Sequence, residues 1–164
     1  MKSKLMPVLL AAVLAGSGLS GAMSRERHKK IYPGAYRAVV VKVTDSDTIK
    51  AVVDAWPGLQ VPAAIRVYGV DTPEKFRPHC PYEKKLAKKA TAFVEGLIKP
   101  GDHIVVRDVQ YGKYAGRVVA KVDITTAGGD AVELGALLVA RGYGRPYFGK
   151  TKSDWCADER EEGK

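Results

Sequence analysis

A single long helical period, "PYEKKLAKKATAFVEGLIKPG" from Pro81, stands between β-branched runs on both sides. That placement constrains the fold more than any other feature of the chain. Leu86, Ala90, Phe93, Val94 and Leu97 recur at three- and four-residue steps, the spacing of one helix face, and Pro100-Gly101 ends the run. Upstream, "YRAVVVKV" from Tyr36, a turn at "TDSD" and then "TIKAVV" read as a β-hairpin. Val61 to Val70 reads as a third strand, entered through the turn "WPGL". Downstream, "HIVVRDV" from His103 and "RVVAKVDI" from Arg117 supply a fourth and a fifth. A second helix is expected from Asp130, where "DAVELGALLVARG" places a Glu three residues after an Asp, as in a capping box, and stops at Gly142.

The resulting order is β-β-β-α-β-β-α, with too few strands for a sandwich. It predicts an α+β fold: a five-stranded β-barrel of the OB-fold type, with two to three helices, one of them between strands three and four. At 164 residues the chain suits one domain with a hydrophobic core of its own. The expected division is a leader over 1–22, a basic tail over 23–34, the barrel domain over 35–150, and a C-terminal tail over 151–164 that Cys156 can tie down.

The leader is expected from the order of residues at the start. Lys2 and Lys4 precede an apolar run from Leu5 to Ala15, and Ser20-Gly21-Ala22 then gives a small-x-small site for cleavage after Ala22. That run is too short to cross a bilayer as a helix, which takes about 20 residues. A start at Met23 is the competing reading. Cleavage removes two lysines and no acid, so the net charge falls from +9 to +7. A basic exported domain attracts polyanions, and the absence of a basic amphipathic helix in the sequence favours nucleic acid over a membrane surface. Secretion or a periplasmic location is expected, as a monomer with no protein partner. In such a compartment Cys80 and Cys156 are expected to pair. Zinc is the alternative, but His28, His79 and His103 have no ligand spacing with the cysteines.

The chemistry concentrates at strand ends. "RVYGVDTPEKFRPHC" ends a β run on Asp71 and Glu74. Thr72 and Pro73 could open a helix there, as N-cap and first residue. Pro78 would break such a helix within about a turn and a half, so an ordered loop is favoured. A second acidic pair, Asp45 and Asp47, occupies the turn after the first strand. Alone it is ordinary turn chemistry. With Asp71 and Glu74 it forms an oxygen-only set that suits a hard cation such as Ca²⁺ or Mg²⁺. Arg66 and Arg117 add guanidinium forks that match phosphate oxygens or, alternatively, serve as structural ion pairs. Lys84, Lys85, Lys88 and Lys89 share one helix face, which reads as solvated or as a phosphate track.

"VVKVTDSDTIK", "IRVYGVDTPE" and "KYAGRVVA" together resemble the staphylococcal nuclease-like (thermonuclease) family, in order and roughly in spacing, from about Tyr36 to Tyr147. Cys80 and the late "WC" resemble an exported or mobile-element bacterial branch. The resemblance implies one Ca²⁺, bound by the carboxylates of Asp47 and Asp71 and the carbonyl of Thr72. It implies Glu74 as general base and Arg66 and Arg117 as holders of the scissile phosphate. DNA and RNA are then the substrates, cut to 3′-phosphates with little sequence specificity. Tyr147, Tyr114 and Lys113 are the substrate-binding candidates, with Tyr143 and Phe148 as further aromatics near the first. Ser46 stands where the family commonly has Gly, and Ala115 is an extra residue before Gly116-Arg117. A phosphodiesterase is therefore expected. The alternative is an OB-fold nucleic-acid-binding module without catalysis.

Overall fold

The computed structural model describes residues 30–113 and 115–157. The expected leader lies outside them. The described residues form eight strands and two helices. The order is β1 (Ile31–Asp45), β2 (Thr48–Trp56), β3 (Leu59–Val67), β4 (Gly69–Asp71), α1 (Pro81–Leu97), β5 (His103–Tyr111), β6 (Arg117–Thr125), β7 (Ala131–Glu133), α2 (Leu134–Ala140) and β8 (Arg145–Tyr147).

Antiparallel pairing runs β3-β2-β1-β5-β6, and a parallel pairing of β3 with β6 (Ala64↔Arg117 to Val67↔Ala120) joins the two ends. Five strands therefore return on themselves, and each has both edges occupied over part of its length. β1 serves two neighbours along its 15 residues, and register shifts at Tyr32/Ala35, Val40/Lys42 and Val43/Asp45 let it curl between them. It begins at Ile31, inside the stretch expected to be tail, and Ile31 and Tyr32 pair with β5.

Inward-facing Ala38, Val40, Ile49, Ile65, Val67, Ile104, Val106, Ala120, Val122 and Ile124 fill the interior. Period-2 alternation in β5 and β6 is why these sequences make strands. α1 adds Val94 and Ile98 to that core, and α2 adds Leu134 and Leu138. The fully buried stripe of α1 is Glu83, Ala87, Ala90, Thr91 and Val94, with Leu86, Phe93 and Leu97 half-buried beside it. The apolar face expected from sequence is thus rotated by about one residue. All four lysines of the opposite face are exposed.

Two expectations are corrected. The third strand does not run unbroken to Val70: it stops at Val67, and the chain turns at Gly69, whose φ of +81° suits a residue without a Cβ. β4 then pairs with β8 instead, Asp71 opposite Arg145. Nor does α2 start at Asp130. The carbonyl of Asp130 closes a turn by accepting from Thr126 N at 2.9 Å, and residues 131–133 pair with β6. Glu133 turns its carboxylate to Arg107, 3.5 Å away, rather than to a helix cap.

Cys80 and Cys156 form a disulfide with their Cα atoms 6.1 Å apart, closing a loop of 76-residue separation. In the chain-entropy picture such a cross-link contributes about 4 kcal/mol by restricting the unfolded chain. The double substitution Cys80→Ala/Cys156→Ala should lower the free energy of unfolding by about that amount, read from urea denaturation. An unchanged urea midpoint would assign the cross-link no role in stability.

Candidate active site

Strand register gathers the charged groups. Arg66, near the end of β3, pairs with Thr48 at the start of β2, which sets its guanidinium beside the β1–β2 turn. The carbonyl of Asp47 in that turn accepts from Val67 N at 2.8 Å and ties turn to strand. Arg117 starts β6 opposite Ala64, two residues along β3 from Arg66. β4 ends at Asp71. Asp47, Arg66, Asp71 and Arg117, drawn from three stretches of the sequence, thus meet at one end of the barrel.

The side chains form a connected set. Arg66 Nη1 donates to Asp47 Oδ1 at 2.5 Å, and its Nη2 stands 3.7 Å from Asp71 Oδ1. Thr48 Oγ1 donates to Asp47 Oδ1 at 3.0 Å, and Thr72 Oγ1 to Asp47 Oδ2 at 2.8 Å. Arg117 Nη2 donates to Thr48 Oγ1 at 3.4 Å, while its buried Nε has no hydrogen-bond partner among the described residues. A cleft of about 450 Å³ opens over this set, with Asp45, Asp47, Arg66, Glu74, Arg117 and Lys152 on its walls. Two arginines and three lysines (Lys50, Lys75 and Lys152) line one space, a setting that suits an anion such as phosphate.

Asp47 and Asp71 are only 3% and 2% exposed. Carboxylates so buried need positive charge close by. Asp71 lies behind the cleft wall. Its Oδ1 accepts no aligned hydrogen bond and faces two cations, Lys152 Nζ at 2.7 Å and Arg66 Nη2 at 3.7 Å. Burial, reinforced by the charge of Asp47, pushes the Asp45 carboxyl up to about 6. Among the described residues no three His, Cys, Asp or Glu side chains cluster as around an all-side-chain metal site. The carboxylates of Asp47 and Asp71 are nevertheless hard oxygen donors of the kind a calcium ion takes, together with backbone carbonyls and water.

The stretch after Asp71 is a loop, so the cap at Thr72 does not form. It is pinned from the helix side. Glu83 is buried and accepts from Glu74 N at 3.0 Å and His79 N at 2.7 Å, while Cys80 Sγ accepts from Glu83 N at 3.5 Å. Lys75 Nζ donates to the Thr44 carbonyl at 3.0 Å and fastens the loop to β1. Glu74 Oε1 accepts from Phe76 N at 2.9 Å, which holds the Glu74 side chain within the loop at the cleft wall. Sequence reasoning missed Glu83, Lys152 and Trp155. Glu83 had a signal, since Cys80-Pro81-x-Glu83 has the spacing of a capping box with Pro at N1.

A second groove of about 470 Å³ adjoins the first and shares Arg66, Arg117 and Lys152 with it. Tyr147, Lys113, Tyr68 and Phe148 border this groove. Tyr147 and Lys113 therefore come together beside the arginines, and Tyr114 lies outside the described residues. Gly112 holds the loop before β6 closed: its N–H donates to the Arg117 carbonyl at 2.9 Å. A Cβ on Gly112 would fall 2.3 Å from that oxygen, so only glycine permits the approach.

A family model described as staphylococcal nuclease homologue matches residues 64–162. No curated protein matches the chain. The matched span holds Arg66, Asp71, Glu74, Arg117 and Tyr147, while Asp47 reaches the same place through the pairing of β2 with β3.

Replacing Glu83 tests how the loop is held. Glu83→Ala leaves two backbone donors without their charged acceptor, at an expected cost of about 3 kcal/mol in urea unfolding. Amide exchange at Glu74 and His79 should accelerate well beyond that of the barrel strands. Unchanged exchange at both would show that other contacts hold the loop.

Proposed function

The chain belongs to the staphylococcal nuclease homologue family, and from that premise we propose that it is an exported, calcium-dependent nuclease. It hydrolyses phosphodiester bonds of DNA and RNA with little sequence preference. The observation that carries this reading is the meeting of Arg66, Arg117 and two buried aspartates, with Glu74 on the wall of the same cleft.

The chemistry follows from the charges. Water attacking a phosphodiester adds negative charge to an anionic centre. Arg66 and Arg117 grip the phosphate oxygens through fixed guanidinium forks and stabilise that charge as it develops. Glu74 accepts the proton of the attacking water. Asp47, Asp71 and the Thr72 carbonyl hold the calcium ion, which when bound supplies further electrostatic stabilisation at the phosphate. Tyr147 stacks on the adjacent base, and Lys113, with Tyr114 by sequence, flanks the groove. Nucleic acid is recognised through its backbone, in keeping with the basic charge of the chain.

The Cys80–Cys156 disulfide supports the expectation that 1–22 is a leader and that the protein works in the periplasm or outside the cell. Among the described residues no helix is long and apolar enough to cross a membrane.

The deciding experiment is digestion of single-stranded DNA. Cleavage should require Ca²⁺, stop on addition of a chelator and resume when Ca²⁺ is restored. Binding without cleavage under every divalent ion tried would replace this reading with a binding module. Glu74→Gln should lower turnover by about 10²-fold while calorimetric Ca²⁺ binding persists. Arg66→Lys and Arg117→Lys should each cost about 10²-fold, because an ammonium cannot reproduce the fork.

A further inference from the structure

The two oxygens of Asp71 have different surroundings. Oδ1 faces the Lys152 ammonium and Arg66. Oδ2 receives the indole N–H of Trp155 at 3.4 Å. Trp155 is 84 residues away in sequence and 5% exposed, and its orientation is fixed from several sides. The Arg145 guanidinium covers its ring at 4.1 Å, and Arg145 is the strand partner of Asp71 across β4 and β8. Arg145 Nη1 also donates to the carbonyl of Asp154 at 3.3 Å, next to the tryptophan. On its other side comes Cys156, whose N–H donates to Asp154 Oδ1 at 2.9 Å and whose sulfur is bonded to Cys80.

We propose that Trp155 is a positioning residue of the cation site, a donor held on Asp71 Oδ2 by the disulfide-anchored segment so that Oδ1 is the oxygen turned toward a divalent cation. A carboxylate with both oxygens free can rotate about its χ2 torsion, and only some orientations serve a cation. A fixed N–H on one oxygen selects among them before the cation arrives, as the outer partners of metal ligands generally do. Trp155 is suited to this because its indole presents one donor and no acceptor, on a rigid ring that is itself buried. This rests on the calcium reading above, and the test separates the two.

The chain has two tryptophans, so Trp56→Phe leaves Trp155 as the sole reporter. Trp56 is 74% exposed at the β2–β3 turn, away from the cleft. In the oxidised, folded Trp56→Phe protein, added Ca²⁺ should shift the Trp155 emission with the same midpoint that calorimetry gives for binding. Trp155→Phe keeps an aromatic body and removes the donor. It should weaken calorimetric Ca²⁺ binding about 10-fold to 100-fold, with thiol titration and far-UV circular dichroism unchanged. A purely structural role would lower the urea midpoint and leave the Ca²⁺ affinity of the folded protein as it was. That result, or emission from Trp155 unmoved by saturating Ca²⁺, overturns the positioning role alone. Should the parent itself bind no Ca²⁺, the calcium reading falls and takes this inference with it. The emission measurement replaces no residue near the site, so it decides even if Trp155→Phe does not fold.

Discussion

The described end of the barrel depends on one guanidinium shared between two buried carboxylates. Asp47 and Asp71 come from different turns of the chain, and without a cation between them their mutual repulsion in a low-dielectric setting would push the turns apart. Arg66 reaches both, from a strand that has β2 on one side and β6 on the other. Its backbone is thereby among the best-supported in the fold, and the charge arrangement inherits that rigidity. Removing the arginine would cost two buried acids a counter-charge they share.

Around this centre the loops are held by groups that take no part in the cleft chemistry. Glu83 collects the amides of the loop that carries Glu74, and Gly112 closes the turn that launches Arg117. The barrel supplies precise strand ends, and these buried polar contacts carry that precision into the irregular segments beyond them. Each costs conformational entropy on folding. For the proposed phosphate chemistry, each also lowers the reorganisation that binding requires.

How much of this was legible in the sequence depended on the range of the interaction that decides it. Alternation and β-branching located the barrel strands, and the 3.6-residue period located α1, because both patterns are local. The break at Gly69 was hidden because Val61 to Val70 is apolar apart from Arg66 and Tyr68, and the partner of β4 lies near the C-terminus. β7 was read as helix because Asp130 and Glu133 have capping-box spacing, whereas the free edge of β6 and the Arg107 guanidinium outweighed that preference. Asp47, Arg66, Asp71, Glu74 and Arg117 could be picked out through family-like motifs with a physical rationale, and the structure places them around one locus. Trp155 and Lys152 could not, since nothing near them in sequence points to Asp71. Lysine beside a buried aspartate is a product of topology alone.

The position of the disulfide gives the molecule an order of assembly. Chains are made from the N-terminus, so β1 to α1 exist well before the residue that will lock them. Cys80 must wait for Cys156, at a separation of 76 residues, and for an oxidant. Until then the segment bearing Lys152 and Trp155 is held only by non-covalent contacts, and the surroundings of Asp71 are incomplete. On the proposed reading as an exported nuclease this is a form of containment: the last covalent step falls where thiols are oxidised, away from the nucleic acid of the cell that makes it.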